Sequence, residues 1–338
     1  MRPRSYHIDI LRAISLLIII LTHVTQYHLS NPITSFIWNY SHFAVVLFIF
    51  CSVSVLLPSY ERMEHTVASI TRWYKKRVVR LILPFYWYLL AHFSLMIVFP
   101  TIFSGNGLKL NFDFILKSVF LTGGIDLNWL VLLFIELALI FPIMEYISRK
   151  KSLATFYFLL STFFVTATLF LPSLHSLYRV YMIIAWSLVT LISILVVKQK
   201  LKPLHIFIIS GISFGLQFFF LGFFAKVVPI HLKGGIATTH NLISHKYPPD
   251  LYYLSYAIFM SFLVYKLTKL HLFEVVLLKR FLTFVSKSSY TLFFIHYIVL
   301  DASLRWRLSV GAHLLVVLVT TMGITYLIEK WRGRVVEK

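Results

Sequence analysis

Ile8-Asp9-Ile10-Leu11-Arg12 opens an apolar run that continues through Ile18-Ile19-Ile20-Leu21 and closes on Thr22-His23. The run is long enough to cross a bilayer as a helix, which takes about 20 residues. It nevertheless carries an acid, a guanidinium and an imidazole. A charge near the bilayer centre costs at least ~2.5–3.5 kcal/mol on insertion scales, so such side chains face a bundle interior and act there. Arg12 and His23 stand eleven positions apart, which at about 100° per residue is roughly 20° past three full turns, with a rise of ~16.5 Å. Both therefore point the same way, and Asp9, three positions before Arg12, lies on the same surface. The expectation is one polar stripe on one helix, lining one path through a bundle.

The rest of the chain supports a membrane setting. Of 338 residues, 59% are hydrophobic and 13% charged, and mean hydropathy is +0.82; an ordinary soluble domain is about a quarter charged. Arg2 and Arg4 lead straight into the first span with no small-residue cleavage site, so that span is expected to be retained. Cys51 is the one cysteine, which excludes an intramolecular disulfide and a cysteine metal cluster. The formal charge of +20 does not point to nucleic acid, because the basic residues are confined to loops.

Hydropathy predicts an all-α polytopic membrane helical bundle, a single domain over 1–338, with about ten transmembrane helices near 8–27, 36–57, 81–103, 129–147, 153–172, 177–197, 203–225, 251–268, 284–302 and 310–328. Alternate connections hold 23 of the 32 Lys and Arg residues, against 8 on the other side and Arg12 within a span. That asymmetry predicts both termini in the cytoplasm.

The densest basic stretch is Arg72-Trp73-Tyr74-Lys75-Lys76-Arg77-Val78-Val79-Arg80. It reads either as an anchor on anionic lipid heads or as a phosphate site, with Arg77 and Arg80 three apart on one helical face. The outer loop 226–250 carries Lys233-Gly234-Gly235, His240, His245 and Tyr247-Pro248-Pro249-Asp250, followed by Tyr252-Tyr253. These tyrosines read as interfacial anchors or as a surface on which a sugar stacks, and the two histidines are too loosely spaced to argue for a metal. Glu136 puts a second acid at membrane depth, either as a functional carboxylate or as a clamp between helices. His42, His92 and His296 lie in apolar runs, and for the first two an interhelical hydrogen bond is the expected role.

This ordered series resembles acyltransferase family 3, the membrane O-acyltransferases. The resemblance rests on Arg12 and His23 with ten residues between them in the first span, on Lys76 to Phe85 with Pro84 shortly after its arginines, and on the Phe-rich Phe48 to Ser52. Trp129 with Pro142, and Ser289-Tyr290 running to His296, continue the series. Val53 stands where the family often has Gly, Ala138 replaces a common aromatic, and Glu136 is displaced from the usual acidic position.

The resemblance implies transfer of an acyl group from acetyl-CoA or another acyl-CoA to a hydroxyl of a carbohydrate such as a surface polysaccharide, peptidoglycan or lipid-linked glycan. Acetyl is the usual group, giving O-acetylation, and succinyl stays open. No metal is needed. The setting implied is a multi-pass protein of the bacterial plasma membrane, a stand-alone member among membrane lipid, with a glycan synthase or exporter as partner.

Under this resemblance His23 is the base that activates the hydroxyl, or the carrier of a transient acyl group. Arg12 binds a donor phosphate or polarises the thioester carbonyl, and Asp9 or Glu136 orients the stripe. Arg72, Lys76, Arg77 and Arg80 are the donor-binding candidates, while Trp129, Ser289, Tyr290 and His296 are the acceptor-binding ones. The competing function is a transporter or exporter of polysaccharide or lipid-linked sugar, which would favour paired broken helices in two related halves.

Overall fold

The computed structural model describes residues 6–103, 110–168, 178–227 and 240–333. Arg2, Arg4, Pro172 and Lys233-Gly234-Gly235 lie outside the described residues. Within them the chain is helical, with one isolated bridge between Lys246 and Pro249. In chain order the helices are α1 Tyr6–Thr25, α2 Pro32–Ser41, α3 Ala44–Glu61, α4 Val67–Val98, α5 Pro100–Phe103, α6 Phe112–Val119, α7 Asn128–Arg149, α8 Lys151–Ala167, α9 Tyr178–Val197, α10 Pro203–Val227, α11 Leu251–Leu267, α12 Val276–Lys287, α13 Ser289–Ser303 and α14 Val310–Trp331.

α1 is the hub. It packs against α2, α3, α12, α13 and α14, and 61% of its most apolar window is buried, against 11% for α10. Since lipid tails are as apolar as leucine, apolarity alone cannot decide which helix takes the centre. Small and hydroxylated side chains do, by letting backbones approach and by bonding across helices. Ser15 Oγ donates to the Ala44 carbonyl at 3.2 Å, and Thr22 and Ser41 share a hydroxyl hydrogen bond of 2.7 Å. α10 packs on α11 alone to any extent, and its exposed Ile209, Leu216 and Phe219 face outward.

Among the described residues six stretches are long and apolar enough to cross a membrane: Tyr6–His28, Pro32–Glu61, Val67–Val98, Asn128–Arg149, Pro203–Phe223 and Val310–Trp331. The expected spans at 153–172 and 251–268 fall on apolar helices of 17 described residues each, and that at 177–197 falls on the 20-residue α9. The one at 284–302 is divided, because the helix breaks at Ser288 between α12 and α13. α4 differs in the other sense. Its 32 residues rise about 48 Å, more than a ~30 Å hydrocarbon core, so its basic first half overhangs.

The second span breaks between α2 and α3 at His42-Phe43. Asn31 caps the start, accepting from the Ile33 amide at 2.9 Å, and Pro32 fits the first turn because its missing N–H would have no helical partner. At the break, Ser41 Oγ bonds the Trp38 carbonyl at 3.2 Å. The Tyr40 and His42 carbonyls accept from Tyr256 and Tyr253 hydroxyls of α11 at 2.6 and 2.9 Å. Irregular backbone at membrane depth is tolerated only where such partners exist.

At the far end of α7, Glu145 is buried and held by Arg149 at 2.9 Å and Lys198 at 2.7 Å. Lys198 also reaches Glu61 at 3.5 Å. This network ties α3, α7 and α9 on the face where α1 begins.

Candidate active site

The C-terminal end of α1 opens on a narrow pocket lined by Thr22, His23, His42, Trp129, Lys246 and Tyr297, among others. Five separate parts of the chain build it: α1, the break between α2 and α3, the start of α7, the loop before α11, and α13.

His23 sits in a chain of rings whose protons can be assigned. His296 Nδ1 lies 3.2 Å from the Leu292 carbonyl, which can only accept, so Nδ1 carries the hydrogen and neutral His296 presents Nε2 as an acceptor. His23 Nδ1, 2.9 Å from that Nε2, must then donate. The lone pair of His23 is left on Nε2, where the Tyr297 hydroxyl stands at 3.3 Å. The two imidazoles lie nearly parallel, 5° apart. His23 is therefore held by a neighbour as a neutral ring with its basic nitrogen fixed in place, the arrangement a general base requires.

Trp129 enters from the first turn of α7. Before it, Gly124 adopts φ +72°, and a Cβ there would run into the Ser118 side chain and Phe114 carbonyl, so only glycine makes this turn. Asn128 donates to the Gly123 carbonyl and accepts from Arg179 at 3.2 Å, fixing the helix start.

Lys246 was invisible as a site residue in the sequence. A short 3-10 turn, Leu242–His245, is capped by Asn241. His245 pairs with Asp250 at 2.6 Å, and Asp250 in turn caps α11 by accepting from the Tyr253 amide at 3.1 Å. Held between them, Lys246 is driven inward to 4% exposure. Its Nζ lies 3.1 Å from His42 Nδ1 and 4.9 Å from the centres of both the Trp129 and Tyr247 rings. Burial pushes its ammonium down from the usual lysine range to about 7. Nothing in local spacing marks it out; it and His42 are 204 positions apart.

A second polar group surrounds the other half of α1. Arg12 Nη2 donates to the Cys51 carbonyl at 3.4 Å, and buried Asp9 accepts from Ser286 Oγ at 2.8 Å. Arg77 donates to Ser52 Oγ at 2.9 Å and is close enough to Arg80, Arg12 and Tyr290 to feel each of them electrostatically. Tyr290 bonds the Leu81 carbonyl, Ser289 is buried, and Arg72, Lys76 and Arg80 are exposed along α4.

The fold thus brings His23, His296 and Trp129 together and gathers Arg12, Asp9, Arg77 and Tyr290 elsewhere. Arg12 is not among the residues lining the cavity beside His23, so the stripe on α1 serves two polar regions rather than one. Glu136 joins neither: one of its carboxylate oxygens is buried without a hydrogen bond among the described residues, and the charge that acts on it is Arg179. His92 Nε2 stands 3.0 Å from Asp301, an ion-pair contact between α4 and α13 whose angles fall short of a hydrogen bond. No group of three potential metal ligands occurs among the described residues.

A family model for the acyltransferase domain of family 3 matches residues 5–330. The chain belongs to that family. It is a membrane acyltransferase, and the match takes in α1 through almost all of α14. No curated protein and no solved structure matches this acyltransferase. Family membership calls for an acyl donor as co-substrate; which residues serve it is argued from geometry below.

Proposed function

We propose that this acyltransferase moves an acyl group, acetyl in the first instance, from acyl-CoA to a hydroxyl of an exported or cell-surface carbohydrate, with His23 as the base. The observation that carries the reading is the His296–His23 hydrogen bond, which leaves His23 Nε2 as the available proton acceptor beside a cavity. A sugar hydroxyl is a weak nucleophile at neutral pH and needs such a base. The Trp129 and Tyr297 rings offer the flat apolar surface that a sugar face packs against.

Arg12, Arg77 and Arg80 form the donor-phosphate region, since guanidinium forks suit phosphate oxygens. Arg12 lies ~16.5 Å along α1 from His23, a separation that supports phosphate binding over polarising the carbonyl. Both termini are cytoplasmic, the remaining apolar helices complete about ten spans, and the overhanging basic half of α4 meets the donor inside the cell. The donor's narrow pantetheine arm bridges the two regions. The membrane is the bacterial plasma membrane, and a glycan synthase or exporter delivers the acceptor.

Inverted membrane vesicles bearing wild-type or His23→Ala protein, given labelled acetyl- or succinyl-coenzyme A, test this. Wild type moves label into glycan, and His23→Ala falls by ~10²–10⁴-fold. A folded His23→Ala protein acylating at the wild-type rate overturns the assignment, and an exporter would transfer no label at all.

A further inference from the structure

Lys246 is a buried amine, charged below about pH 7, with no carboxylate in contact with it among the described residues. Neither oxygen of the nearest acid in sequence, Asp250, is free for it: one holds His245 and the other caps α11. The contacts Lys246 makes are an imidazole nitrogen and two aromatic faces. Ring faces attract an ammonium by about 0.5–2 kcal/mol, far less than the several kcal/mol that desolvating an ion costs. A site that keeps such a group is arranged for a negative charge that arrives later.

The cavity says where that charge is. Lys246 and His23 line the same space and are near enough for the charge of one to act on the other. His42 contributes as well. An ammonium has hydrogens and no lone pair, so His42 Nδ1 accepts from Lys246 and its Nε2 carries the remaining hydrogen. That Nε2 is buried and has no partner among the described residues. Two donors, one charged, therefore stand with the base.

We propose that Lys246, with His42 Nε2–H beside it, stabilises the negative charge that develops on the acyl carbonyl oxygen during transfer, and so is a catalytic residue. The inference rests on the reading of His23 as the base. In the step, the acceptor O–H gives its proton to His23 Nε2 while its oxygen bonds the thioester carbon. The carbonyl electron pair moves onto oxygen, next to Lys246. The pair then returns, the C–S bond breaks, and the leaving thiolate takes the proton from His23, giving ester and thiol.

The test uses full-length protein in native-membrane vesicles, with acetyl- and succinyl-coenzyme A as donors and labelled glycan as the readout. Lys246→Met is expected to lower kcat by ~10²–10³-fold, the range for losing an oxyanion donor, with the donor KM within about threefold and the thermal midpoint not lowered. Lys246→Arg, which keeps the charge, retains more activity than Lys246→Met. In Lys246→Ala, added ethylammonium restores part of the rate.

A Lys246→Met protein that keeps kcat while His23→Ala is dead overturns the inference alone. So does a loss confined to KM, which would make Lys246 a ground-state anchor for a fixed anion. A folded, inactive Lys246→Ala that ethylammonium cannot revive also counts against it. Wild-type protein that transfers no label removes the underlying reading, and this step with it.

Discussion

The two ends of the bundle treat charge in opposite ways. On the face where α1 begins, Glu145 is buried between Arg149 and Lys198, and Lys198 also reaches Glu61. On the face where α1 ends, Lys246, His42, His23 and His296 are in contact or share one cavity, with no carboxylate between them among the described residues. The first arrangement is internally compensated and asks nothing of a ligand. On the reading proposed above, the second is completed by the charge that a substrate supplies. Buried ions held in a membrane bundle can therefore be sorted by whether their account closes within the protein, and only the open one marks chemistry.

The comparison breaks most visibly at Glu145. Removing one member of a buried ionic group leaves the others uncompensated and typically costs ~3–5 kcal/mol, so Glu145→Ala should lower the thermal midpoint strongly while kcat per folded molecule stays unchanged. Thermal unfolding read beside single-turnover rates separates the two; a selective loss of kcat would dissolve the distinction drawn above.

At the other end the effects reverse. His296→Phe keeps a ring but removes the acceptor that fixes the His23 tautomer. Loss of an orienting partner costs up to ~10⁴ where that partner is charged, and for this neutral ring on the order of 10² in kcat is expected, with little change in the thermal midpoint.

The gentlest probe is pH. The Lys246 ammonium, at about 7, is charged below that value and neutral above it. If the charged form is the active one, the rate falls about tenfold per unit once pH exceeds about 7. The groups facing it are His42 after α2, His23 on α1, and the Trp129 and Tyr247 rings. His23 must be neutral to act as a base, so it governs the acidic side of the profile. In Lys246→Arg the alkaline limb should move to far higher pH, and a limb that stays put would assign it to another group.

Much of this architecture can be read without coordinates, because a bilayer imposes length and apolarity on every span. The pattern around Asp9, Arg12 and His23 located the central helix, and the Trp129 and His296 segments pointed to residues that do meet His23. Elsewhere local pattern could not decide. The span expected at 284–302 reads as undivided, since a break in the helix at Ser288 leaves hydropathy intact. The common face of Arg12 and His23 was correct as helix geometry, yet facing one direction does not put two groups in one cavity when ~16.5 Å of rise separates them. Lys246 had no periodicity to reveal it. Its burial depends on a loop pinned by His245, Asp250 and Tyr253, which only tertiary contact assembles.

The ring chain behind His23 also has a direction. It runs from His23 to His296 and stops at the Leu292 carbonyl, which has no capacity to take a proton onward. In the proposed step a proton lifted from the acceptor passes no farther than the two imidazoles and the Tyr297 hydroxyl, and it leaves with the departing thiol. On that reading turnover is electroneutral, so collapsing the membrane's proton gradient should leave the chemical step untouched.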